Sequence, residues 1–503
     1  MTGTQDAGAE EGGTQEGGAQ EGGAREGGAE GAGAHEGGAQ VTGAEGAGAH
    51  EGGAQVTGAE GAGARDGAAA AKRRRRRIIG LALPATGALI ADPLLGLVDT
   101  AVAGRLGTDP LAALGLSVAV LASASWVFNF LVYGTTAAVA KAVGAGDRHV
   151  AGRRVVHAAW LATGIGLVLS VLILVLAPSL VRWLGASSSF ADEATTYLRV
   201  RAVGLVPFLL TYVGHGAFRG VSDTRTPLVI VVGANVVNAS LDVVLVFGLG
   251  AGLAGVAWAT VAAEVGAALA FAVLIRRAGL PLLGHGRPTT QEVRTLVSVS
   301  RDLFLRTGSL VAAFLVVASV AARLGAVTAA AHQIVWQVWT MVALFLDGLA
   351  IAGQALIGTA LGAGDPREAR ATAAQLTRWG LGVGIATAVV LLALRDLLPR
   401  LLTDEPVVLA ALGGAWVVAA LGHTINGVVF VLDGVFMGAE DFAYLRTWVV
   451  IAALGVAAPL ALLVLALDGG LVGLWLALTA MLVVRLASLL ARLRGTTWTG
   501  PAP

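Results

Sequence analysis

From Ile78 onward the chain alternates long apolar segments with short polar links. Residues 111–140 are 30 consecutive positions without a charge, 160–181 are 22, and 447–467 are 21. About 20 helical residues cross ~30 Å of hydrocarbon, so each run is long enough to span a membrane. The pattern predicts 12 crossings, at 78–104, 111–139, 155–178, 194–217, 226–248, 252–275, 297–323, 328–358, 372–394, 407–435, 447–467 and 470–491. The longest polar link among them, residues 278–295, divides them six and six. The segments are rich in Gly and Ala, which lets helices approach closely where hydrophobicity cannot drive helix against helix.

Composition agrees with this pattern. Of 503 residues 56% are hydrophobic and 13% charged, and the mean hydropathy is +0.76. A water-soluble domain cannot hide that much apolar surface. The formal net charge of +1 conceals a division, because the first 71 residues hold 12 acidic groups against two Arg, leaving +11 from Lys72 onward. This basic excess lies in short blocks between apolar runs, as in cytoplasmic membrane loops, and not as a nucleic-acid surface. Arg148, Arg153, Arg154, Arg219, Arg225, Arg276, Arg277, Arg287, Arg294, Arg367, Arg370, Arg492 and Arg494 fall on one set of links. The opposite links carry Arg105, Arg182, Arg323, Arg395 and Arg400. Both termini are therefore expected in the cytoplasm, with the chain multi-pass in the plasma (cell inner) membrane. Cysteine is absent, which excludes disulfides, thiolate metal sites and a thiol nucleophile. Nothing at the N-terminus has the order of a signal peptide, so the first apolar helix is expected to direct insertion.

Residues 1–71 are a Gly, Ala, Glu and Gln tract in which GAGAHEGGAQVTGAE occurs at 31–45 and again at 46–60. Such a tract has almost no side chains for a core and is expected to be disordered. Its His35 and His50 preorganise no metal site. The expected organisation is a disordered tail over 1–71, a polybasic juxtamembrane block over 72–77, and an N-terminal six-helix lobe over 78–277. A cytoplasmic link over 278–295, a C-terminal six-helix lobe over 296–492 and a cytoplasmic tail over 493–503 follow.

Self-similarity relates the two lobes. Arg105-Leu106-Gly107 recurs as Arg323-Leu324-Gly325, and Gly144-Ala145-Gly146-Asp147 as Gly362-Ala363-Gly364-Asp365. Gly216, Phe218, Gly220 and Asp223 recur as Gly434, Phe436, Gly438 and Asp441. All three pairs are 218 residues apart. Six crossings per copy give both copies one orientation, a pseudo-twofold axis along the membrane normal and a central cleft. The predicted fold is an all-α integral membrane protein of two parallel-duplicated six-helix bundles.

Ionisable residues inside apolar segments cost several kcal/mol when unpaired and are site candidates by default. Asp92 and Asp99 lie two turns apart in the first crossing, and Asn238 and Asp242 one turn apart in the fifth. Glu264, Arg306, Asp347, His423 and Asp433 lie in later crossings. At the 218 offset Asp99 maps onto Val317, Asn238 onto Val456 and Asp242 onto Leu460, so these polar groups belong to the first copy alone. They are read as an ion-coupling site of the N-terminal lobe. Asp347 maps onto Asn129 and Asp433 onto His215, which suits a structural role, with Arg306 a partner for Asp347. Neutralisation by a proton removes the cost of burying a carboxylate, which makes Asp99 and Asp242 candidates for a proton-driven switch. Na⁺ would use the same carboxylates and the Asn238 amide oxygen as hard ligands. Pro84 removes a backbone hydrogen bond from the first helix and marks a bend.

These residues resemble the multidrug and toxic compound extrusion (MATE) family, over residues 78 to about 490. LALP at 81–84, LVDTAVAGRLG at 97–107 and VNASLDV at 237–243 are similar to the family's first-helix and fifth-helix patterns, with Val243 where the pattern has Pro. FLRTGSL at 304–310, ARLG at 322–325 and FLDGLAIAGQALIG at 345–358 resemble the DinF-like branch, with Gln354 where Glu is common. The resemblance implies that Asp99, Asn238 and Asp242 form the cation-coupling site, and it favours H⁺ over Na⁺. The expected function is secondary antiport of H⁺ against small amphipathic or cationic compounds by alternating access. A Na⁺-coupled exporter and a lipid-linked sugar flippase are the alternatives. Asp92, Trp126, Asp347 and Trp336 are candidate cavity-lining residues, and Trp339 offers a second stacking face. No soluble enzyme motif is present. The expected chain is not an enzyme, has no cofactor or metal, binds no nucleic acid, and works as a monomer in the lipid bilayer on small-molecule substrates.

Overall fold

The computed structural model describes residues 53–186, 188–283 and 289–500, with the side chains of residues 53–67, 92 and 122–127 outside the described set. Most of the expected tail, including the repeat at 31–45, therefore lies outside the described residues. Residues Asp66–Pro503 form one compact unit.

The described elements are helices throughout. In chain order they are α1 (Gly53–Leu106), α2 (Thr108–Phe128), α3 (Phe130–Gly144), α4 (Arg148–Trp183), α5 (Ala191–Gly220), α6 (Arg225–Gly248) and α7 (Gly252–Arg277). After the link come α8 (Thr290–Arg323), α9 (Ala326–Gly362), α10 (Pro366–Ala393), the short α11 (Leu398–Leu402), α12 (Pro406–Gly438), α13 (Phe442–Ala466) and α14 (Gly470–Arg494). Among the described residues 11 helices are long and apolar enough to cross a membrane. The shorter apolar helices α2 and α3, joined at Asn129, occupy the place of the remaining expected crossing, 111–139. The uncharged run 111–140 predicts one helix there, and the structure divides it in two. α1 runs through Pro84 and Pro93 as one helix.

The duplication is visible in the element boundaries. Adding 218 carries the start of α2 onto that of α9, the end of α3 onto that of α9, and the start of α4 onto that of α10. It also carries the end of α5 onto that of α12 and the start of α7 onto that of α14. The repeated residues explain themselves. Gly146 (φ 79°) and Gly364 (φ 70°) make the same left-handed turn. Asp147 then caps α4 by accepting from the Val150 amide, and Asp365 caps α10 by accepting from the Glu368 amide.

The two lobes meet at the end of the bundle that carries the basic links. A Cβ on Gly144 would stand 2.1 Å from the Thr359 carbonyl oxygen, and one on Gly362 would stand 2.0 Å from that of Lys141. These contacts are equivalents of one another at the 218 offset, so the pseudo-twofold axis passes between them. Around this seat Gln354 donates to the Tyr133 carbonyl, Arg74 forks onto Glu368 and Lys141 reaches Glu440. A single apolar core spans both lobes here, with Leu131, Leu209 and Phe218 from one and Leu432, Val435 and Phe436 from the other. Toward the opposite end the core divides. Ala103, Leu114, Leu198 and Val256 belong to a core of the first lobe, and Val320, Val335, Leu412 and Leu474 to a core of the second. The bundle is thus joined at its basic face and split at the other. On the perimeter, Leu167, Val168, Val171, Leu172 and Val175 of α4 are exposed, a face that suits hydrocarbon.

Candidate functional site

The three residues singled out in the first lobe come together toward the split end of the bundle. Asn238 and Asp242 lie one turn apart on α6, both fully buried. The Asn238 amide donates to the Thr260 hydroxyl of α7 (3.1 Å), and that hydroxyl donates to the Val256 carbonyl (3.0 Å). The chain of bonds fixes which way the amide points and leaves its oxygen free on the other side. Asp99 on α1 lies near Asp242, close enough for each carboxyl to act on the other. Neither Asp242 oxygen, nor Asp99 Oδ1, nor Asn238 Oδ1 receives a bond from a described donor. Immediately after Asp242 the helix widens into a π-helical turn, Val243–Gly248, a local irregularity that recurs at functional sites.

Beside this pair Arg201 of α5 clasps Glu264 of α7 through two bonds of 2.8 and 2.7 Å. The charges of both act on Asp99. Because Glu264 already neutralises Arg201, the Asp99–Asp242 pair has no cation of its own. Two neighbouring carboxyls in that position are relieved by a proton held between them or by a bound cation. Glu264 was legible as a membrane charge, but Arg201, Thr260 and Tyr197 of this cluster were not singled out. The duplication would have found them, since Tyr197, Arg201, Thr260 and Glu264 map onto Ala415, Ala419, Leu478 and Leu482. Those four, with Val317 in place of Asp99, lie in the apolar core of the second lobe.

The second lobe places its buried charges elsewhere. Arg306 of α8 bonds Asp433 of α12 at 2.6 Å, and Arg485 of α14 bonds the same carboxylate oxygen. Arg306 is thereby taken by Asp433 and not by Asp347, which corrects the expected pairing. Helical spacing gives a residue's face but not the neighbour that the bundle brings to it. Arg485 is a further residue the sequence reading passed over. Asp347 lies within electrostatic range of Arg219, Arg306 and Asp433.

Trp336 joins a different group. It stacks on Trp339 (5.3 Å, 18°), meets Phe314 edge-on at 4.7 Å, and faces His332 at 6.2 Å. The other cavity candidates, Asp92 and Trp126, have side chains outside the described residues. Among the described residues no group of three or more His, Asp or Glu side chains is arranged to hold a metal.

Comparison with known proteins places this architecture. The MatE family model matches residues 84–244 and again 307–463, one match in each lobe. The chain is 36% identical over 437 residues to Protein DETOXIFICATION 44, chloroplastic, of Arabidopsis thaliana, covering 84% of this chain and 82% of that protein. It is 33% identical over 420 residues to DNA damage-inducible protein F of Escherichia coli K12, covering 82% of this chain and 90% of that protein. Its fold is similar to the outward-facing conformation of a multidrug resistance MATE family transporter, with a TM-score of 0.75, 22% identity, and coverage of 84% and 96%. A duplicated helical bundle, a family match in each half and a DNA damage-inducible protein F relative along most of the length lead to one conclusion: the chain belongs to the MATE family of transporters.

Proposed function

We propose that this protein is a proton-coupled exporter, exchanging inward H⁺ for the outward movement of small amphipathic compounds, with the Asp99–Asp242 pair carrying the proton. The observation that carries the reading is the nearness of these two carboxyls, with Asp242 fully buried and neither of its oxygens bonded by a described donor. With both groups ionised, repulsion drives α1 from α6. With one proton shared, the two helices draw together and the chamber between them changes shape. Asn238, one turn from Asp242 and held by Thr260 through its amide nitrogen, keeps its oxygen unbonded and available to orient the pair. The pair lies in one lobe only, so the second lobe serves as the wall against which the first works.

The face that carries the basic links between the described helices is the cytoplasmic one under the positive-inside rule. The observed state, joined at that face and split at the other, is then open to the outside, ready to release cargo and to load a proton. The chain would reside in the cell inner membrane.

One feature favours Na⁺ as a second reading: Asp99 Oδ1, both Asp242 oxygens and Asn238 Oδ1 are hard oxygens without donors. Proteoliposomes holding the full chain separate the two. Under a pH gradient without Na⁺, the wild type accumulates ethidium in the direction of export and Asp99→Asn does not. Ethidium movement driven only by a Na⁺ gradient would replace the proton by Na⁺, and unchanged pH-driven transport in Asp99→Asn would end the assignment of the site.

A further inference from the structure

Arg74 is engaged with Glu368, but the rest of the basic block 72–77 takes no part in the coupling site or in the lobe contacts. Its last member, Arg77, lines a hollow of about 260 Å³ together with Gly80 of α1 and with Ser222, Asp223 and Arg225 of the α5–α6 turn. Among the described residues neither the Arg77 nor the Arg225 guanidinium has an acceptor. The acid on the rim does not serve them. Asp223 Oδ1 accepts from the amides of Arg225 (2.9 Å) and Thr226 (3.1 Å), and Oδ2 from the Thr226 hydroxyl (2.6 Å), so this carboxylate is committed to the start of α6. Two guanidiniums on one hollow without a counter-charge attract an anion.

The repeat gives no reason for these charges. At the 218 offset Arg77 and Arg225 map onto Thr295 and Ala443, and Gly80 onto Ser298. The turn itself is the same in both copies, with Ser222 and its equivalent Glu440 both at φ 60°. In the second copy the acids of the turn meet cations of the chain, Glu440 with Lys141 and Asp441 with Arg492. In the first copy the charge is reversed and the chain supplies no partner. The hollow also opens at the foot of a seam. From it α1 and α6 run side by side, the Thr224 hydroxyl donating to the Leu81 carbonyl (2.8 Å) and the Asn235 amide to the Ala91 carbonyl (2.9 Å). Just inward, Leu83 of α1 and Val229, Val232 and Val236 of α6 are exposed, an apolar strip that suits acyl chains. A soluble anion would use the guanidiniums alone, whereas a phospholipid uses both features.

We propose that this hollow binds the phosphate of an anionic phospholipid, held between Arg77 and Arg225, with its acyl chains along the α1–α6 strip. Guanidinium forks match phosphate oxygens in pairs. The exposed Arg73, Arg75 and Arg76 beside the hollow draw anionic headgroups toward it. A headgroup held in this way bridges the feet of the two helices that carry Asp99 and Asp242. The assignment needs only a bilayer around the chain and does not depend on the exporter reading.

The test uses the full chain in neutral maltoside micelles, titrated with phosphatidylglycerol or phosphatidylcholine and followed by native mass spectrometry. Phosphatidylglycerol binds ~10-fold or more tightly than phosphatidylcholine. Arg77→Gln with Arg225→Gln weakens its binding ~30-fold, about five-fold for each guanidinium. Arg73→Gln with Arg76→Gln, the same change of charge outside the hollow, keeps it within ~3-fold. Gly80→Leu fills the hollow and leaves both charges in place, and a Cβ there meets nothing within 4 Å, so the fold tolerates it; it too weakens phosphatidylglycerol binding several-fold. Equal affinity for the two lipids, or equal losses in the two double variants, overturns the site in favour of diffuse surface attraction. Full displacement of phosphatidylglycerol by inorganic phosphate assigns the hollow to a soluble anion and overturns the lipid.

Discussion

The ion pairs that bridge the lobes at the basic face give the conformational equilibrium a measurable handle. Arg74 forks onto Glu368, and Lys141 meets Glu440 at 2.6 Å. The side chains are partly exposed, 13% and 36% in the first pair and 39% and 25% in the second. Each is therefore discounted for solvent to about 0.5–1 kcal/mol. Neutralising both acids as Glu368→Gln with Glu440→Gln removes about 1–2 kcal/mol from the state joined at this face, a ~5–30-fold change in its ratio to the alternative. The chain contains no cysteine, so two introduced cysteines at Thr108 and Ala326, equivalent positions at the starts of α2 and α9, carry spin labels against a clean background. Electron–electron distance measurements should show a short-distance population growing in the double variant, as the split end closes while the basic face opens. High salt should produce part of the same shift in the wild type. Charge reversal at Lys141→Glu should act more strongly, and adding Glu440→Lys should restore the original distribution. Identical distributions in wild type and double variant would refute the role of these pairs in holding the lobes together.

Further expectations follow from the packing and the buried charges. Gly144→Ala forces a Cβ into the Thr359 carbonyl, and should cost about 1–3 kcal/mol of thermal stability, whereas Gly164→Ala, with open space around it, should not be destabilising. Asp433→Leu strands Arg306 and Arg485 in the core and should cost about 3–5 kcal/mol by thermal denaturation, more than Arg485→Leu, which leaves the Arg306–Asp433 pair intact. Arg201→Leu leaves Glu264 as a third unneutralised carboxyl beside Asp99. It should move the pH–transport profile toward higher pH, since a more negative cluster holds its proton more tightly, and Arg201→Leu with Glu264→Leu should return it toward wild type. An unmoved profile in Arg201→Leu would detach that pair from the coupling site.

Much of this fold could be read from the chain because membrane solvent imposes length on helices and duplication imposes repetition. The 218-residue offset located the glycines that seat the lobes and the Asp caps of α4 and α10 before any coordinates. Asp99, Asn238 and Asp242 were legible for the opposite reason, since their counterparts in the second copy are apolar. Partnership was harder to read. Glu264 finds Arg201 from 63 residues away, and Arg306 chooses Asp433 over Asp347, because the order of helices around a lobe decides which faces meet. The interruption at Asn129 was also hidden, as its equivalent Asp347 sits inside the unbroken α9.

The glycine seat at Lys141–Gly144 and Thr359–Gly362 has a mechanical consequence. Backbone lies there directly on backbone, and the carbonyls in contact already serve their own helices, so parting the glycine surfaces themselves breaks no hydrogen bond; the bonds to be exchanged for water are the flanking ones of Gln354, Lys141 and Arg74. The two-fold match of bumps and hollows accepts only one alignment, so the lobes dock in the same register on every return stroke. α9 is 37 residues long, about 55 Å. A tilt of about 10° at one tip therefore sweeps the other by roughly 10 Å, enough for a bearing of a few atoms to govern the aperture of an entire gate.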